Sequence, residues 1–153
     1  CFSSRMAEKQ TDILISGGGI AGLTLALLLA DAGADIHLLE PKPPESFKNT
    51  KPSGRTVALM DASLNVIKAA GVWKKLEAHA APLRVMQIVD ANTGAREKIE
   101  APFEAQDIGL PQFGFNVPNS ALRAALYEAA KKHKSITLQE CALKNYTVEN
   151  GYV

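Results

Sequence analysis

The feature that most constrains this chain is a run of 18 uncharged residues, 13–30, that contains Gly17, Gly18, Gly19 and Gly22. Its length just reaches the lower limit for a membrane-spanning helix. Each glycine inside a helix, however, destabilises that helix by roughly 1 kcal/mol relative to alanine. A strand, a turn and a helix therefore explain the run better than a membrane span does.

The residues around the glycines predict one βαβ unit. Residues 12–16 are a short apolar segment of the kind that a parallel sheet buries on both faces. Residues 23–32 supply good helix formers, and Gly33 suits a left-handed helix end. Residues 35–39 follow as a second apolar strand, which completes the unit in about its minimum length.

The turn of this unit carries the pattern G-x-G-x-x-G. In dinucleotide-binding proteins the first glycine permits a tight turn, the second leaves space for a pyrophosphate, and the third lets helix and strand pack closely. Phosphate charge then lies at the positive end of the helix. The alternative is a glycine-rich turn that binds nothing. The pattern is formed by Gly17, Gly18, Gly19, Ile20, Ala21 and Gly22.

Glu40 ends the second predicted strand, 18 residues after Gly22. A carboxylate at this position can accept hydrogen bonds from ribose hydroxyls. Because the same carboxylate repels a 2′-phosphate, FAD or NAD is favoured over NADP. The alternative for Glu40 is a solvated strand end before Pro41.

Composition excludes several classes of function. With 17 basic and 16 acidic residues the net charge is +1, which gives no electrostatic reason to expect nucleic-acid binding. Cys1 and Cys141 provide neither a disulfide framework nor a C-x-x-C site, so a reducing, cytoplasmic location is expected. The three histidines, His37, His79 and His133, lack metal-ligand spacing, and no metal site is predicted.

The remaining pattern predicts short elements between turns. Residues 1–11 are read as a tag or disordered N-terminus, and the first five of them are excluded from fold reasoning. Trp73 is expected in the core. Up to residue 80 the pattern predicts a loop at 41–53, a helix at 62–70 capped by Asp61 and ended by Gly71, and a helical piece at 72–80. A hairpin follows, with strands at 83–90 and 95–99 and a turn at 91–94, and then an irregular stretch at 100–112. The last predicted elements are a strand at 113–117, a helix after Asn119 with Leu122, Ala125, Leu126 and Ala129 on one face, and strands at 136–138 and 145–149.

Three blocks of this sequence resemble the opening third of the FAD-dependent aromatic hydroxylases, the relatives of p-hydroxybenzoate hydroxylase. They are the glycine motif with Glu40, GRTVALMDASLNVIKAAGVWKKL at 54–76, and FGFNVPNSALRAAL at 113–126. The subgroup most similar to them is the ubiquinone-biosynthesis hydroxylases. The resemblance implies an α/β, Rossmann-like FAD-binding fold over 12–153, in which 82–112 begins an inserted β-rich substrate domain.

The resemblance also implies an activity: hydroxylation of a phenolic, polyprenylated ubiquinone precursor with FAD, NAD(P)H and O2. By position, Arg55 matches a residue that contacts the phosphate and ribitol region of the flavin, and Asn119 matches a second FAD contact. Arg55 could instead be a solvated loop cation and Asn119 a helix N-cap. Arg123 is interpreted as a surface residue of the same helix. No catalytic residue can be named, because the family's later motifs lie beyond Val153.

Two other functions stay open on the sequence: another FAD- or NAD-binding oxidoreductase, and a non-catalytic dinucleotide-binding module. The proline-rich loop after Glu40 argues against a plain NAD domain, whose next element would be a further crossover helix. A prenylated substrate would bring peripheral contact with the cytoplasmic membrane face, and a homo-oligomer is left open. The turn pair Asn150-Gly151 near the end of the chain suggests a piece of a longer protein.

Overall fold

The computed structural model describes residues 10–45, 47–49, 54–90 and 99–149. Short 3-10 turns lie at Phe47–Asn49, Glu77–His79 and Ala105–Ile108. In chain order the helices and strands are β1 (Ile13–Ser16), α1 (Ile20–Asp31), β2 (Ile36–Leu39), β3 (Thr56–Met60), α2 (Asp61–Ala69), α3 (Trp73–Leu76), β4 (Ala81–Leu83), β5 (Val85–Asp90), β6 (Ile99–Glu104), β7 (Gly114–Pro118), α4 (Asn119–Lys132) and β8 (Ile136–Gln139).

A parallel sheet of order β1-β2-β8 confirms the predicted βαβ unit and the strand at 136–138. The uncharged run is thus divided between β1 and α1. The helix begins three residues earlier than predicted, because Gly19 stands extended at the N-cap and helical backbone follows it directly. Gly33 has a φ of +100°, which fits the predicted left-handed end. Among the described residues, no helix has both the length and the apolarity that crossing a membrane requires.

A second, antiparallel sheet has the order β3-β7-β4, and of its strands only β7 was predicted. β3 lies between the predicted loop at 41–53 and the predicted helix at 62–70. It pairs along its full length with β7, from Thr56 opposite Pro118 to Met60 opposite Gly114. A Cβ on Gly114 would lie 2.2 Å from the carbonyl oxygen of Leu59, so only glycine permits this approach. Pairing between distant segments therefore created strands that the local pattern did not indicate.

The predicted hairpin exists, but its second strand lies later in the chain than expected. β5 pairs antiparallel with β6 in the register Val85 opposite Glu104 through Asp90 opposite Ile99. The prediction of an irregular stretch at 100–112 is therefore wrong for residues 100–104. The predicted turn at 91–94 lies outside the described residues.

Three smaller expectations are corrected by the backbone. Asp61 is the first residue of α2 and not its cap; Met60 holds the N-cap position in extended conformation, without a side-chain cap. Asn119 likewise begins α4 after Pro118, so the N-cap reading of its side chain is wrong. Residues 142–148 have no regular structure, so the predicted strand at 145–149 is not formed; Glu149 makes an isolated bridge.

The core lies where α1 and α4 pack on each other and on the parallel sheet, and α2 and α3 extend it toward the antiparallel sheet. Trp73 is buried, as predicted, with its ring centroid 5.1 Å from that of Phe115. The predicted apolar faces of α2 and α4 point inward. The largest fully buried side chains are Leu23, Ile36, Leu38, Leu76, Leu122, Leu126 and Val117.

Two leucines of α1 give a matched test of this core. Leu23 is fully buried, whereas Leu25 is 48% exposed. We expect Leu23→Ala to lower the free energy of unfolding by about 2–5 kcal/mol, since it leaves a cavity. Leu25→Ala should lower it by less than about 1 kcal/mol. Denaturant unfolding of the intact protein measures both, and equal losses would contradict the assigned helix face.

Candidate dinucleotide-binding site

The glycine loop joins the end of β1 to the start of α1 through one left-handed residue. Gly17 has a φ of +116°, and its N–H donates a hydrogen bond to the carbonyl oxygen of Leu39 at 2.8 Å. The N–H groups of the first helical turn have no partners within the helix, and they give its N-terminus a partial positive charge. In the part of the chain that the structure describes, no side chain caps this N-terminus and no acid lies in the first turn.

The other two motif glycines differ in what surrounds them. A Cβ on Gly22 would lie 2.1 Å from the carbonyl oxygen of Gly17, so α1 meets the loop at a distance that only glycine allows. A Cβ on Gly19 would meet nothing within 4 Å. Ile20 and Ala21 complete the motif in the first turn of α1. The arrangement agrees with the tight turn, the open space and the close packing that the sequence predicts.

Glu40 lies directly against this loop. The Gly18 N–H donates to its Oε2 at 2.7 Å, and the Lys42 N–H donates to its Oε1 at 2.8 Å. A Cβ on Gly18 would lie 2.8 Å from the Cβ of Glu40, so this glycine too is required by a close approach. The side chain of Glu40 is only 12% exposed, which makes it an anchored carboxylate and not a solvated strand end.

Arg123 is the residue of this site that sequence reasoning missed. Its Nε donates to the carbonyl oxygen of Gly18 at 2.9 Å, and its Nη2 donates to that of Lys42 at 2.8 Å. The same Nη2 lies 3.2 Å from Oε2 of Glu40. The helix pattern placed Arg123 correctly outside the apolar face. Nothing in that pattern could reveal a contact between residues 105 positions apart.

Arg55 and Asn119 are brought together by the pairing of β3 with β7. The Asn119 N–H donates to the carbonyl oxygen of Arg55 at 3.0 Å, and the side chain of Arg55 is exposed. Asn119 and Arg123 are four residues apart on α4, so they share one face of the helix. The first turns of α4 therefore connect the Arg55 backbone with the Glu40 cluster.

The next turn of the same helix face carries Tyr127. Burial raises the pKa of its phenol, and the carboxylates of Glu140 and Glu40 raise the pKa further, whereas Arg123 opposes them. The phenol is therefore neutral at physiological pH and able to donate a hydrogen bond. Tyr127 lines a cavity of about 260 Å³ at the β8 edge, together with Lys131, Ile136, Leu138 and Glu140.

Two of the three histidines take part in contacts between elements. The Nε2 of His37 lies 2.9 Å from Oε1 of Gln139, and the Nε2 of His133 lies 3.2 Å from Oδ1 of Asp31. Within the described ranges, no group of three histidine, cysteine or acidic side chains is arranged to hold a metal ion.

A parallel sheet whose first strand passes through a glycine loop into a helix, with an acid at the end of the second strand, defines a dinucleotide-binding α/β protein. The family described as FAD binding domain matches residues 10–143, and the chain belongs to this family. This confirms the family and the fold class predicted from the sequence.

Relatives of known function include ubiquinone hydroxylases. The 3-demethoxyubiquinol 3-hydroxylase of Escherichia coli (strain K12) is 33% identical over 136 residues, which cover 88% of this chain and 34% of the relative. The mitochondrial ubiquinone biosynthesis monooxygenase COQ6 of Drosophila melanogaster is 30% identical over 141 residues, which cover 86% of this chain and 28% of the relative. The chain thus spans about a third of the length of these relatives.

Solved structures share the fold. PqsL of Pseudomonas aeruginosa superposes with a TM-score of 0.71 at 19% identity, over 94% of this chain and 36% of that one. The p-nitrophenol 4-monooxygenase PnpA of Pseudomonas putida DLL-E4 superposes with a TM-score of 0.61 at 20% identity, over 82% of this chain and 30% of that one.

The contact between Gly22 and Gly17 generates a prediction about stability. In Gly22→Ala the new methyl group would overlap the backbone carbonyl of Gly17, a residue whose N–H is hydrogen-bonded to Leu39. We expect a loss of about 1–3 kcal/mol or more in the free energy of unfolding of the FAD-free protein. Gly19→Ala is the matched control, because its methyl group enters open space. Equal stability of the two variants in a urea titration would refute the close packing.

Proposed function

We propose that the intact protein is an FAD-dependent monooxygenase that hydroxylates an aromatic substrate with NAD(P)H and O2. The observation that carries this proposal is the cradle formed by the glycine loop and Glu40 in a chain of the FAD binding domain family. The names of the relatives, among them 3-demethoxyubiquinol 3-hydroxylase, support hydroxylation of a ring. They also favour a polyprenylated ubiquinone precursor as the substrate.

The residues present fit the adenosine diphosphate half of FAD. The loop of residues 17–22 would hold the pyrophosphate, since Gly19 faces open space and the first turn of α1 offers N–H donors. Glu40 would accept hydrogen bonds from the ribose hydroxyls. Arg55 and Asn119, adjacent through their backbones, would contact the flavin's phosphate and ribitol region. When bound, the flavin supplies the redox chemistry, whereas the protein binds, orients and shields it.

The antiparallel strands distinguish this chain from a plain NAD domain. After Glu40 the chain passes into β3, which pairs with β7 in a separate sheet and not beside β2 in the parallel one. We further propose that residues 82–112 begin the substrate domain. The hairpin of β5 and β6 supports this, because Val85, Ile88 and Phe103 are each about half exposed or more, at 52%, 61% and 49%. Further parts of the protein would cover such apolar side chains.

The first test is the cofactor content of the intact protein. We expect a yellow protein that releases stoichiometric FAD, identified by its visible spectrum and mass, and that takes up O2 with NAD(P)H when a suitable phenol is added. A colourless protein that binds NAD but not FAD would exclude the proposed activity. FAD that never turns over with any phenol would favour a non-catalytic binding module.

Gly19→Ala separates binding of FAD from folding. The backbone of Gly19, with φ −76° and ψ −179°, is extended and accessible to alanine, and the methyl group meets no protein atom within 4 Å. The variant should therefore fold, yet its methyl group would occupy the space needed by the pyrophosphate. We expect at least a roughly tenfold loss of FAD affinity, equivalent to about 1.4 kcal/mol. Unchanged affinity, measured by titrating the FAD-free protein, would mean that FAD does not use this loop.

A prenylated substrate predicts contact with a membrane surface in the cytoplasm. We expect the intact protein to sediment in part with lipid vesicles and to turn over a prenylated phenol faster than a water-soluble one, since a prenyl chain partitions into lipid. Sedimentation with vesicles and O2 uptake with matched phenols measure the two effects. Equal rates on both phenols, with no sedimentation, would remove the membrane-bound substrate and leave a soluble aromatic one.

A further inference from the structure

Arg123 joins three separate parts of the nucleotide end of the sheet. Its guanidinium contacts the carbonyl oxygen of Gly18 in the glycine loop, the carbonyl oxygen of Lys42 after β2, and the carboxylate of Glu40 between them. The two carbonyl contacts use Nε and Nη2, which project from one edge of the planar group. An ammonium group is a single point and cannot reproduce this two-pronged geometry.

The contacts leave Glu40 oriented but not saturated. A carboxylate has about four acceptor directions. Oε1 accepts the N–H of Lys42, and Oε2 accepts the N–H of Gly18 and faces Arg123. An acceptor direction therefore remains for a hydroxyl group of a ligand. Without Arg123 the side chain would keep the two backbone donors and would regain freedom to rotate.

The charge of Arg123 matters for the same ligand. Glu40 is hydrogen-bonded to the glycine loop, which by the proposed function also holds the pyrophosphate. A carboxylate so close to a diphosphate repels it. The guanidinium lies 3.2 Å from Oε2 of Glu40 and offsets that repulsion. Because its side chain is 31% exposed, the ion pair contributes little to general stability. Its effect should appear in ligand affinity.

We propose that Arg123 is a positioning residue of the nucleotide site, which holds Glu40 in the orientation that recognises the adenosine ribose hydroxyls. This inference rests on the proposed FAD site and deepens it. Arg123 acts through Glu40 and need not touch the ribose itself.

The test compares two probes that differ only in the ribose hydroxyls. ADP and 2′,3′-dideoxy-ADP are each competed against FAD on the FAD-free intact protein. The wild type should prefer ADP by about tenfold or more, because a hydrogen bond to a charged group is lost with the hydroxyls. Arg123→Met should reduce the preference to within about threefold of unity. Glu40→Gln serves as the reference for a damaged carboxylate, and a double variant should lose little more than Glu40→Gln alone.

Two further variants serve as controls for this comparison. Lys132→Met removes an exposed cation nine residues further along α4, about 13 Å away, and should keep the wild-type preference. Arg123→Lys retains the charge but not the two-pronged contact, so it should bind both probes better than Arg123→Met while still losing the preference. If Arg123→Met does not fold, the preference of Arg123→Lys for ADP over 2′,3′-dideoxy-ADP still tests the proposal.

The outcomes separate this inference from the proposed function. An unchanged preference in both Arg123 variants, with FAD still bound by the wild type, would overturn the positioning role and leave the FAD site intact. Equal weakening of both probes would do the same, since it would indicate only a loosened loop or a lost charge. A wild type that binds no FAD would remove the proposed function and this inference with it.

Discussion

The contact between Gly22 and the carbonyl of Gly17 is the constraint on which the rest of the structure depends. A side chain at Gly22 would meet that oxygen at 2.1 Å, so α1 can approach the end of β1 only with glycine there. The approach aims the helix N-terminus at the space above the loop. It also brings Gly18 against Glu40, and thus places a carboxylate beside the region of positive helix potential.

Helix α4 is the second organising element, because it packs on α1 and reaches the same end of the sheet. Its half-buried face carries Asn119, Arg123 and Tyr127 at successive turns. Asn119 and Arg123 form hydrogen bonds with parts of the site that lie far away in sequence, and the carboxylate of Glu40 acts electrostatically on Tyr127. Its buried face belongs to the core. One amphipathic helix therefore couples the stability of the domain to the geometry of the nucleotide site. The two backbone N–H donors to Glu40 offset the cost of removing its carboxylate from water.

The success of sequence reasoning varied with the range of the interaction. The βαβ unit, the positions of Gly17 and Glu40 and the helix α4 were predictable, because glycine placement and apolar periodicity are local signals. β3 and β4 were missed, since they gain their hydrogen bonds from β7, which lies tens of residues away. The first residues of α2 and α4, Asp61 and Asn119, were predicted wrongly as N-caps for a related reason. Each follows a paired strand directly, so the last residue of that strand, Met60 or Pro118, takes the N-cap position.

By itself, the sequence determined the class of site: glycines that only a tight turn and a close contact require, followed by an acid at a strand end. These features depend on backbone conformation within a single unit of the chain. Only the tertiary structure decided how that acid is held. Arg123 reaches Glu40 across 83 positions, and Asn119 meets Arg55 through an antiparallel register. Such contacts follow from the packing of α4 on the sheet, and the local pattern around each residue carries no record of them.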